Sequence, residues 1–337
     1  MTKSEHEALF YKKLKEKTVQ CQLCPKFCVI KDGGYGNCNV RKNIKGKLCS
    51  MVYGKPCSVA ADPVEKKPLY HFMPSTKTLS VATVGCNFHC SHCQNWQISQ
   101  AKVEDVPHLD ISPEKIVEQA KSNNLKSISY TYTEPTVFYE YMLDIAKTAK
   151  KQKIKSIVVS NGFINPQPLK KLIPSIKAAN IDLKGNAEFY EKICDGKMGP
   201  VLDTIKLLHE KKVWLEITNL IVPGFNDDVG EIKKAVSWIL ENVGKDVPLH
   251  FSAFYPCFKL TNVQPTPPEF LIRARMIAKG MGLSYVYTGN INDEDGSTTF
   301  CPKCGQAVIR RKGFIVAENK LKKGKCPCGE DIPGIWR

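Results

Sequence analysis

The sequence has no long apolar run and no repeat of solenoid period. A membrane-spanning helix needs about 20 consecutive, mostly apolar residues, and no stretch of this chain approaches that length. The first residues include Lys3, Glu5, His6 and Glu7 ahead of any apolar run, so we do not expect a secretory signal peptide. We therefore expect a cytoplasmic protein without a membrane partner.

Cysteine, in contrast, is abundant, with 15 residues in 337. Reducing compartments keep disulfides rare, so this number favours metal-binding or catalytic thiolates. Six cysteines lie in residues 21–57, three in 86–93 and four in 301–328. Cys194 and Cys257 stand apart, and we interpret them as small buried apolar residues.

The net charge of +16 is concentrated in the flanks. Residues 1–70 carry 14 basic and 6 acidic groups, and residues 301–337 carry 9 and 3. Basic flanks suit an acidic macromolecule such as RNA, but lysine on a surface also serves solubility alone. Both interpretations stay open.

Between residues 79 and 287, short β-branched runs alternate with helical patterns, which predicts repeated βα units around a parallel sheet. The predicted strands are 79–84, 127–131, 154–159, 179–183, 214–222 and 247–254. The run at 284–287 either extends this sheet or lies outside it. The expected fold class is α/β. It comprises a cysteine-rich N-terminal cap (1–78), a partial (β/α)6 barrel of the TIM type (79–291) and a zinc-ribbon-like tail (292–337).

Cys86, Cys90 and Cys93 follow the first predicted strand at spacings of four and three residues. Three thiolates can hold three corners of a [4Fe–4S] cluster and leave one iron open to another ligand. The alternatives are a zinc site completed by His89 or His92, or a reactive thiol loop. The triplet is self-contained, which favours the cluster.

This spacing after a first barrel strand resembles that of the radical S-adenosylmethionine (radical SAM) superfamily. Tyr132-Thr133-Glu134-Pro135 resembles the Gly-Gly-Glu-Pro that usually ends the second strand in that superfamily. The resemblance implies a [4Fe–4S] cluster and S-adenosylmethionine as cofactors. It also implies that Thr133 and Glu134 lie near the amino group of the bound molecule.

Within that superfamily the chain looks most like activating enzymes of glycyl-radical enzymes, such as the pyruvate formate-lyase activase. The similar segments are Cys93-Gln94-Asn95, Ser160-Asn161-Gly162 and Asp182-Leu183-Lys184. The resemblance implies that Ser160 and Asn161 lie near the ribose or methionine, that Lys184 lies near the carboxylate, and that His250 ends the sixth strand. The candidate cofactor-binding residues are His92, Asn95, Thr133, Glu134, Ser160, Asn161, Asp182, Lys184 and His250. Of these, Asp182 and Lys184 are also the candidate catalytic residues.

Two further cysteine sets flank this region. The N-terminal cysteine set, Cys21, Cys24, Cys28 and Cys38, has spacings suited to one tetrahedral metal or to a second cluster, and spacing does not separate zinc from iron–sulfur. The tail cysteine set, Cys301, Cys304, Cys326 and Cys328, forms two knuckles that resemble a zinc ribbon, with the second knuckle one residue short. Both sets look closed, and therefore structural or electron-relaying.

Cys-x-Leu-Cys-Pro near the start, Tyr-Thr-Glu-Pro in the second unit and Pro-Gly-Ile-Trp at the end resemble the AmmeMemoRadiSam system radical SAM family. That likeness runs from Cys21 to Trp336. It implies company with Memo-like and AMMECR1-like proteins.

The expected reaction uses one electron from ferredoxin or flavodoxin to cleave bound S-adenosylmethionine into methionine and a 5′-deoxyadenosyl radical. The radical then abstracts hydrogen from a substrate. A protein glycine is the target that the resemblance to activating enzymes implies. RNA modification is the alternative that the basic flanks suit, and a metal-binding adaptor without catalysis is a third. The adaptor is the least favoured, because the chain retains the residues expected around the cluster loop, namely Glu134, Asn161, Asp182 and Lys184.

Overall fold

The computed structural model describes residues 6–336 and is built around one large curved sheet. The strands are β1 (His6–Glu7), β2 (Tyr11–Lys13), β3 (Val19–Cys21), β4 (Val29–Ile30), β5 (Arg41–Ile44), β6 (Lys47–Ser50), β7 (Ser58–Pro63), β8 (Lys77–Ala82), β9 (Ser127–Tyr130), β10 (Lys155–Ser160), β11 (Ala178–Asp182), β12 (Trp214–Ile221), β13 (Leu249–Ala253), β14 (Val286–Gly289), β15 (Thr299–Phe300), β16 (Ala307–Lys312) and β17 (Ile315–Asn319). The helices are α1 (Trp96–Ser99), α2 (Pro113–Ser122), α3 (Tyr139–Lys151), α4 (Pro166–Leu172), α5 (Ala187–Lys192), α6 (Met198–Glu210), α7 (Val229–Asn242), α8 (Pro268–Gly280) and α9 (Glu294–Ser297). None of the helices in residues 6–336 is both long and apolar enough to cross a membrane.

The large sheet has eight strands in the order β14-β13-β12-β11-β10-β9-β8-β7. Strands β8 to β14 pair in parallel, and β7 pairs antiparallel to β8. This arrangement confirms an α/β fold with a mostly parallel central sheet, and each predicted strand lies within two residues of its expected bounds. The run at 284–287 does extend the sheet, because β14 pairs with β13.

Helices and strands form where the sequence provides both caps and apolar faces. Helix α2 begins with Ser112, whose hydroxyl accepts from the Lys115 amide, and with Pro113 in the first turn. Strand β9 is buried along its whole length, as expected for a parallel strand covered on both sides. Helix α3 buries an apolar stripe against the main core.

The segment before residue 79 packs against the sheet and also supplies strand β7 at its edge. It contains two small antiparallel sheets, β1-β6-β5 and β2-β3-β4. Arg41 of β5 binds Glu140 of α3 through two hydrogen bonds, Nη2 to Oε1 at 2.9 Å and Nη1 to Oε2 at 3.1 Å. Both side chains are only 2% exposed. This buried ion pair fixes the N-terminal segment to the barrel.

A buried polar network joins the tail to strands β12 and β13 through residues 70–71. Glu216 of β12 accepts from the amides of Tyr70 and His71 and pairs with His250, whose Nε2 lies 2.6 Å from Oε2. The ring of His71 contacts the Pro333 carbonyl through Nδ1 at 2.7 Å and the Tyr287 hydroxyl through Nε2 at 2.6 Å. A carbonyl can only accept, so Nδ1 carries the proton and Nε2 accepts from the tyrosine.

We predict that His71 makes stability pH-dependent. Burial lowers the pKa of His71 to about 4, below the ordinary value near 6.5. Between these values the unfolded chain binds a proton that the folded chain excludes, so the free energy of unfolding falls as pH decreases. The expected slope from this residue is up to about 1.4 kcal/mol per pH unit.

Urea unfolding of wild type and His71→Asn between pH 7 and 4 measures this contribution, since asparagine keeps a donor for Pro333 but does not titrate. The variant should be less stable at pH 7 and lose less stability on acidification. Equal slopes for the two proteins would contradict the prediction.

Candidate metal and cofactor site

Cys86, Cys90 and Cys93 lie on the loop that follows β8, at the carboxyl edge of the parallel strands. We call residues 86–93 the cluster loop. Burial raises the pKa of the Cys86 thiol well above its ordinary value, and the nearby Glu134, Cys90 and Cys93 raise it further.

The cluster loop is held between two other segments. On one side its amides at His89 and Ser91 donate to the carbonyls of Cys194 and Ile193, at 3.0 and 2.8 Å. On the other side Gly85 has a φ of +96° and lies so close to residue 38 that a Cβ would be 2.8 Å from the Cys38 carbonyl oxygen. Only glycine accommodates both that conformation and that contact.

Hydrogen-bond donors surround the three sulfurs. Asn161 Nδ2 lies 3.8 Å from Cys86 Sγ, and Ser99 Oγ lies 3.2 Å from Cys93 Sγ. The pKa of Cys90 is lowered, first by a hydrogen bond from Cys194 and then, against burial, by the charge of Lys184. Donors of this kind stabilise thiolates and tune the potential of an iron–sulfur cluster.

Glu134 organises the adjacent strand ends. Its Oε1 accepts from the Thr136 amide at 2.9 Å and the Ser160 hydroxyl at 2.7 Å, and its Oε2 accepts from the Asn161 amide at 2.8 Å. Burial raises the pKa of this carboxyl, while these hydrogen bonds favour its charged form. Asn161 in turn donates to Asn87 Oδ1 at 2.9 Å. Glu134 therefore connects the ends of β9 and β10 to the cluster loop.

Lys184 lies beside the cluster loop with Asp182, Nζ to Oδ2 being 2.7 Å. Burial opposes its charge, but Asp182, Cys90 and Cys194 raise the pKa of Lys184 well above its ordinary value. An ammonium group has three donors, and Asp182 uses one of them. Lys184 is thus a half-buried cation able to bind another anion.

Three further candidate residues, Asn95, Thr133 and His92, remain at this edge of the sheet. Asn95 donates to the Tyr132 carbonyl at 2.8 Å, and Thr133 donates to the Thr83 carbonyl at 2.7 Å, so both lie at the strand edge. His92 is 4% exposed, its Nδ1 has no partner among residues 6–336, and burial lowers its pKa to about 3.

His250 does not lie at this edge. The sequence predicts it at the end of the sixth strand, but it is the second residue of β13, where it pairs with Glu216 in the buried network. The apolar run at 247–254 extends beyond both ends of β13. The run alone therefore does not show which of its residues ends the strand.

Cys194 is the functional candidate that sequence reasoning missed. It is buried, as expected, yet Cys90, His92 and Cys194 place their ligand atoms within 4.8 Å of one another. No spacing signals this contact, because it arises when the chain after α5 returns to the cluster loop.

The tail set has the geometry of a site for one ion. Its four sulfurs lie within 4.8 Å of one another, with Cys301 to Cys328 and Cys304 to Cys326 both 3.7 Å. A tetrahedral ion with zinc–sulfur bonds of 2.3 Å separates its sulfurs by about 3.8 Å. The short second knuckle therefore does not prevent four thiols from converging.

The donor chemistry at the cluster loop fits a [4Fe–4S] cluster with S-adenosylmethionine. The three thiols of this one loop can bind three irons, Asn161 donates to Cys86 Sγ, and Ser99 Oγ lies within hydrogen-bond distance of Cys93 Sγ. Lys184 supplies a half-buried cation for a carboxylate. His92 Nδ1 remains as a buried polar atom facing no partner in the described part of the chain.

Comparison with known proteins agrees with this chemistry. Residues 80–239, which include the cluster loop, Glu134 and Lys184, match the Radical SAM superfamily. The chain is 47% identical over 330 residues to "Uncharacterized protein MJ0808" of Methanocaldococcus jannaschii, covering 97% of this chain and 98% of the other. It is 26% identical over 207 residues to "Putative glycyl-radical enzyme activating enzyme MJ1632" of the same organism, covering 59% and 76%.

A solved structure shows the same fold at low identity. A radical SAM methyltransferase from Sphaerobacter thermophilus superposes with a TM-score of 0.52 and 14% identity, covering 70% of this chain and 71% of the other. The solved structure supports the fold, and the matched residues 80–239 place this part of the chain in the Radical SAM superfamily.

Proposed function

We propose that this chain cleaves S-adenosylmethionine reductively at a [4Fe–4S] cluster held by Cys86, Cys90 and Cys93, and uses the product to abstract hydrogen from a protein glycine. The placement of these three thiols on one loop at the carboxyl edge of the sheet, with Asn161 at Cys86 and Ser99 at Cys93, carries the proposal. When bound, the cluster and S-adenosylmethionine supply one-electron cleavage of the carbon–sulfur bond and hydrogen abstraction by the adenosyl fragment.

The protein's own groups bind S-adenosylmethionine and hold the cluster loop in position. The free donors of Lys184 receive the methionine carboxylate, and Asp182 holds the ammonium in place. Glu134 acts as a positioning residue, because three donors already occupy its carboxylate. It fixes Ser160 and Asn161, and Asn161 fixes the cluster loop. The buried, neutral His92 ring lines the site beside Lys184.

The glycine target is supported by the relative MJ1632, whose name assigns it to glycyl-radical enzyme activation. Such a reaction needs a low-potential electron donor, for which we propose ferredoxin or flavodoxin. Membership of the AmmeMemoRadiSam system, with Memo-like and AMMECR1-like partners, stays a prediction from the sequence. RNA as the substrate remains the alternative, based on the basic flanks.

We predict that anaerobically reconstituted, reduced protein releases 5′-deoxyadenosine and that Cys86→Ala/Cys90→Ala/Cys93→Ala releases none. The variant lacks the thiolates that hold the cluster. Deuterated protein and deuterated RNA from cells, offered separately, identify the substrate by the label that appears in 5′-deoxyadenosine, measured by mass spectrometry.

The matched control is Cys57→Ser, which removes a half-buried thiol outside the three cysteine sets. It should behave as wild type. No 5′-deoxyadenosine from wild type with a strong reductant would refute the catalytic proposal, and label from RNA alone would refute the glycine target.

We also predict that Lys184→Met weakens S-adenosylmethionine binding by about 10- to 100-fold, the effect of losing one hydrogen bond to a charged group. Isothermal titration of the cluster-loaded protein under anaerobic conditions measures this. Lys192→Met is the control, since Lys192 forms an exposed ion pair with Glu188. Equal affinities for Lys184→Met and wild type would remove Lys184 from the site.

For the tail set we propose one structural zinc ion, based on the sulfur separations of 3.7 Å. Cys304→Ser/Cys328→Ser should lower the zinc content by about one ion per chain and leave the iron content unchanged. Elemental analysis by mass spectrometry of protein purified without added metal measures both. Wild-type protein without zinc, or a variant that loses iron instead, contradicts this assignment.

A further inference from the structure

We propose that the N-terminal cysteine set holds a second iron–sulfur cluster, and that this cluster relays electrons to the site at the cluster loop. The relay depends on the proposed function, because that function supplies the electron acceptor. The existence of the second cluster does not depend on it.

The four thiols of the N-terminal cysteine set surround one small cavity. Its volume is about 20 Å³, and Cys21, Cys24, Cys28 and Cys38 all line it. Cys21 and Cys38 are buried, while Cys24 and Cys28 are half-buried. Sequence spacing alone allowed four convergent thiols, and the fold places all four around this cavity.

The separation of these sulfurs favours a cluster over one ion. In residues 6–336 the tail set lies within 4.8 Å in every pair, as one tetrahedral ion requires, but no three thiols of the N-terminal set do. Because an iron–sulfur cluster contains several irons and bridging sulfides, it holds its cysteines further apart than one ion does. The two flanking sets therefore differ in the size of the group that they fit.

Arg41 supplies an independent observation. It is 2% exposed and lines the same cavity. Its Nη atoms bind Glu140 and the Leu9 carbonyl, but its buried Nε has no hydrogen-bond partner among residues 6–336. A buried N–H without a partner is costly, and a cluster sulfur would accept from it. A cluster bound by four thiolates is also negatively charged, which suits a buried guanidinium.

The cavity is in direct contact with the cluster loop. Asn87, next in sequence to Cys86, lines the cavity together with the four thiols. Gly85 touches the backbone of Cys38, where an added Cβ would be 2.8 Å from its carbonyl oxygen. The two sets of thiols are thus separated by little more than one layer of backbone.

A third connection runs along the surface. Lys26, between Cys24 and Cys28, binds Asp195 with Nζ 2.8 Å from Oδ2, and the same carboxylate lies 3.0 Å from His89 Nδ1 in the cluster loop. The N-terminal loop and the cluster loop therefore share one anchor. This shared carboxylate keeps the two loops side by side.

The electron balance is simple. A low-potential one-electron donor protein of the ferredoxin or flavodoxin class reduces the N-terminal cluster by one electron and is itself oxidised by one. That cluster returns to its oxidised state when it passes the electron to the S-adenosylmethionine site. No atom is transferred. Phe27 and Val29, which flank Cys28, are 46% and 62% exposed and place an apolar surface beside the entry point.

The first test separates the two clusters by composition. Cys86→Ala/Cys90→Ala/Cys93→Ala, reconstituted anaerobically, should retain iron and sulfide and show the electron paramagnetic resonance signal of a reduced cluster. Adding Cys24→Ser/Cys28→Ser to the triple variant should remove this remaining iron. Adding Cys57→Ser instead should leave it unchanged. A second zinc ion per chain in place of iron, beyond the one at the tail set, or a triple variant with wild-type circular dichroism but no iron, overturns the second cluster.

The second test addresses the relay. In Cys24→Ser/Cys28→Ser, the ratio of flavodoxin-driven to dithionite-driven 5′-deoxyadenosine formation should fall on the order of tenfold, because small dithionite reaches the inner site directly. An unchanged ratio overturns the relay. Iron and signal retained by the triple variant, with no 5′-deoxyadenosine from wild type, would sink the proposed function and leave the second cluster standing.

Discussion

The arrangement of the site depends on the buried carboxylate of Glu134. An ionised carboxylate without partners in a protein interior costs several kcal/mol, so the surrounding chain has to direct donors at it. Here the donors come from the turn after β9 and from the end of β10, and satisfying them fixes both strand ends. Asn161 extends this constraint to the cluster loop through Asn87. One desolvated charge thus determines where Cys86 lies.

The sequence predicts the barrel strands well because their β-branched runs are continuous and end at glycine, proline or asparagine. It is weaker where polarity or length removes that signal. Strand β7 consists of small and polar residues with a proline at its end, so its pairing with β8 is a tertiary outcome. The register of His250 also follows from pairing with its neighbours on β12 and β14, and the apolar run around it does not encode that register.

The sequence predicts those site residues that belong to short local motifs. Cys86, Cys90 and Cys93 lie in one loop, and Lys184 closely follows Asp182. Cys194 could not be identified in this way, since only the folded chain brings it to Cys90. Likewise, spacing does not separate zinc from iron–sulfur at either flanking set, because only the fold sets the distances between the sulfurs.

The buried network around His71 has a consequence for the approach of a substrate. Pro68, Tyr70 and His71 bind Asn180 and Glu216 on the concave side of the sheet, and the tail holds His71 from behind. Segment 68–71 and the tail therefore cover the middle of β11 and the amino-terminal half of β12, away from the cluster loop. Under the proposed function, a macromolecular substrate would approach the cysteines from the carboxyl edge of the parallel strands, where the cluster loop lies.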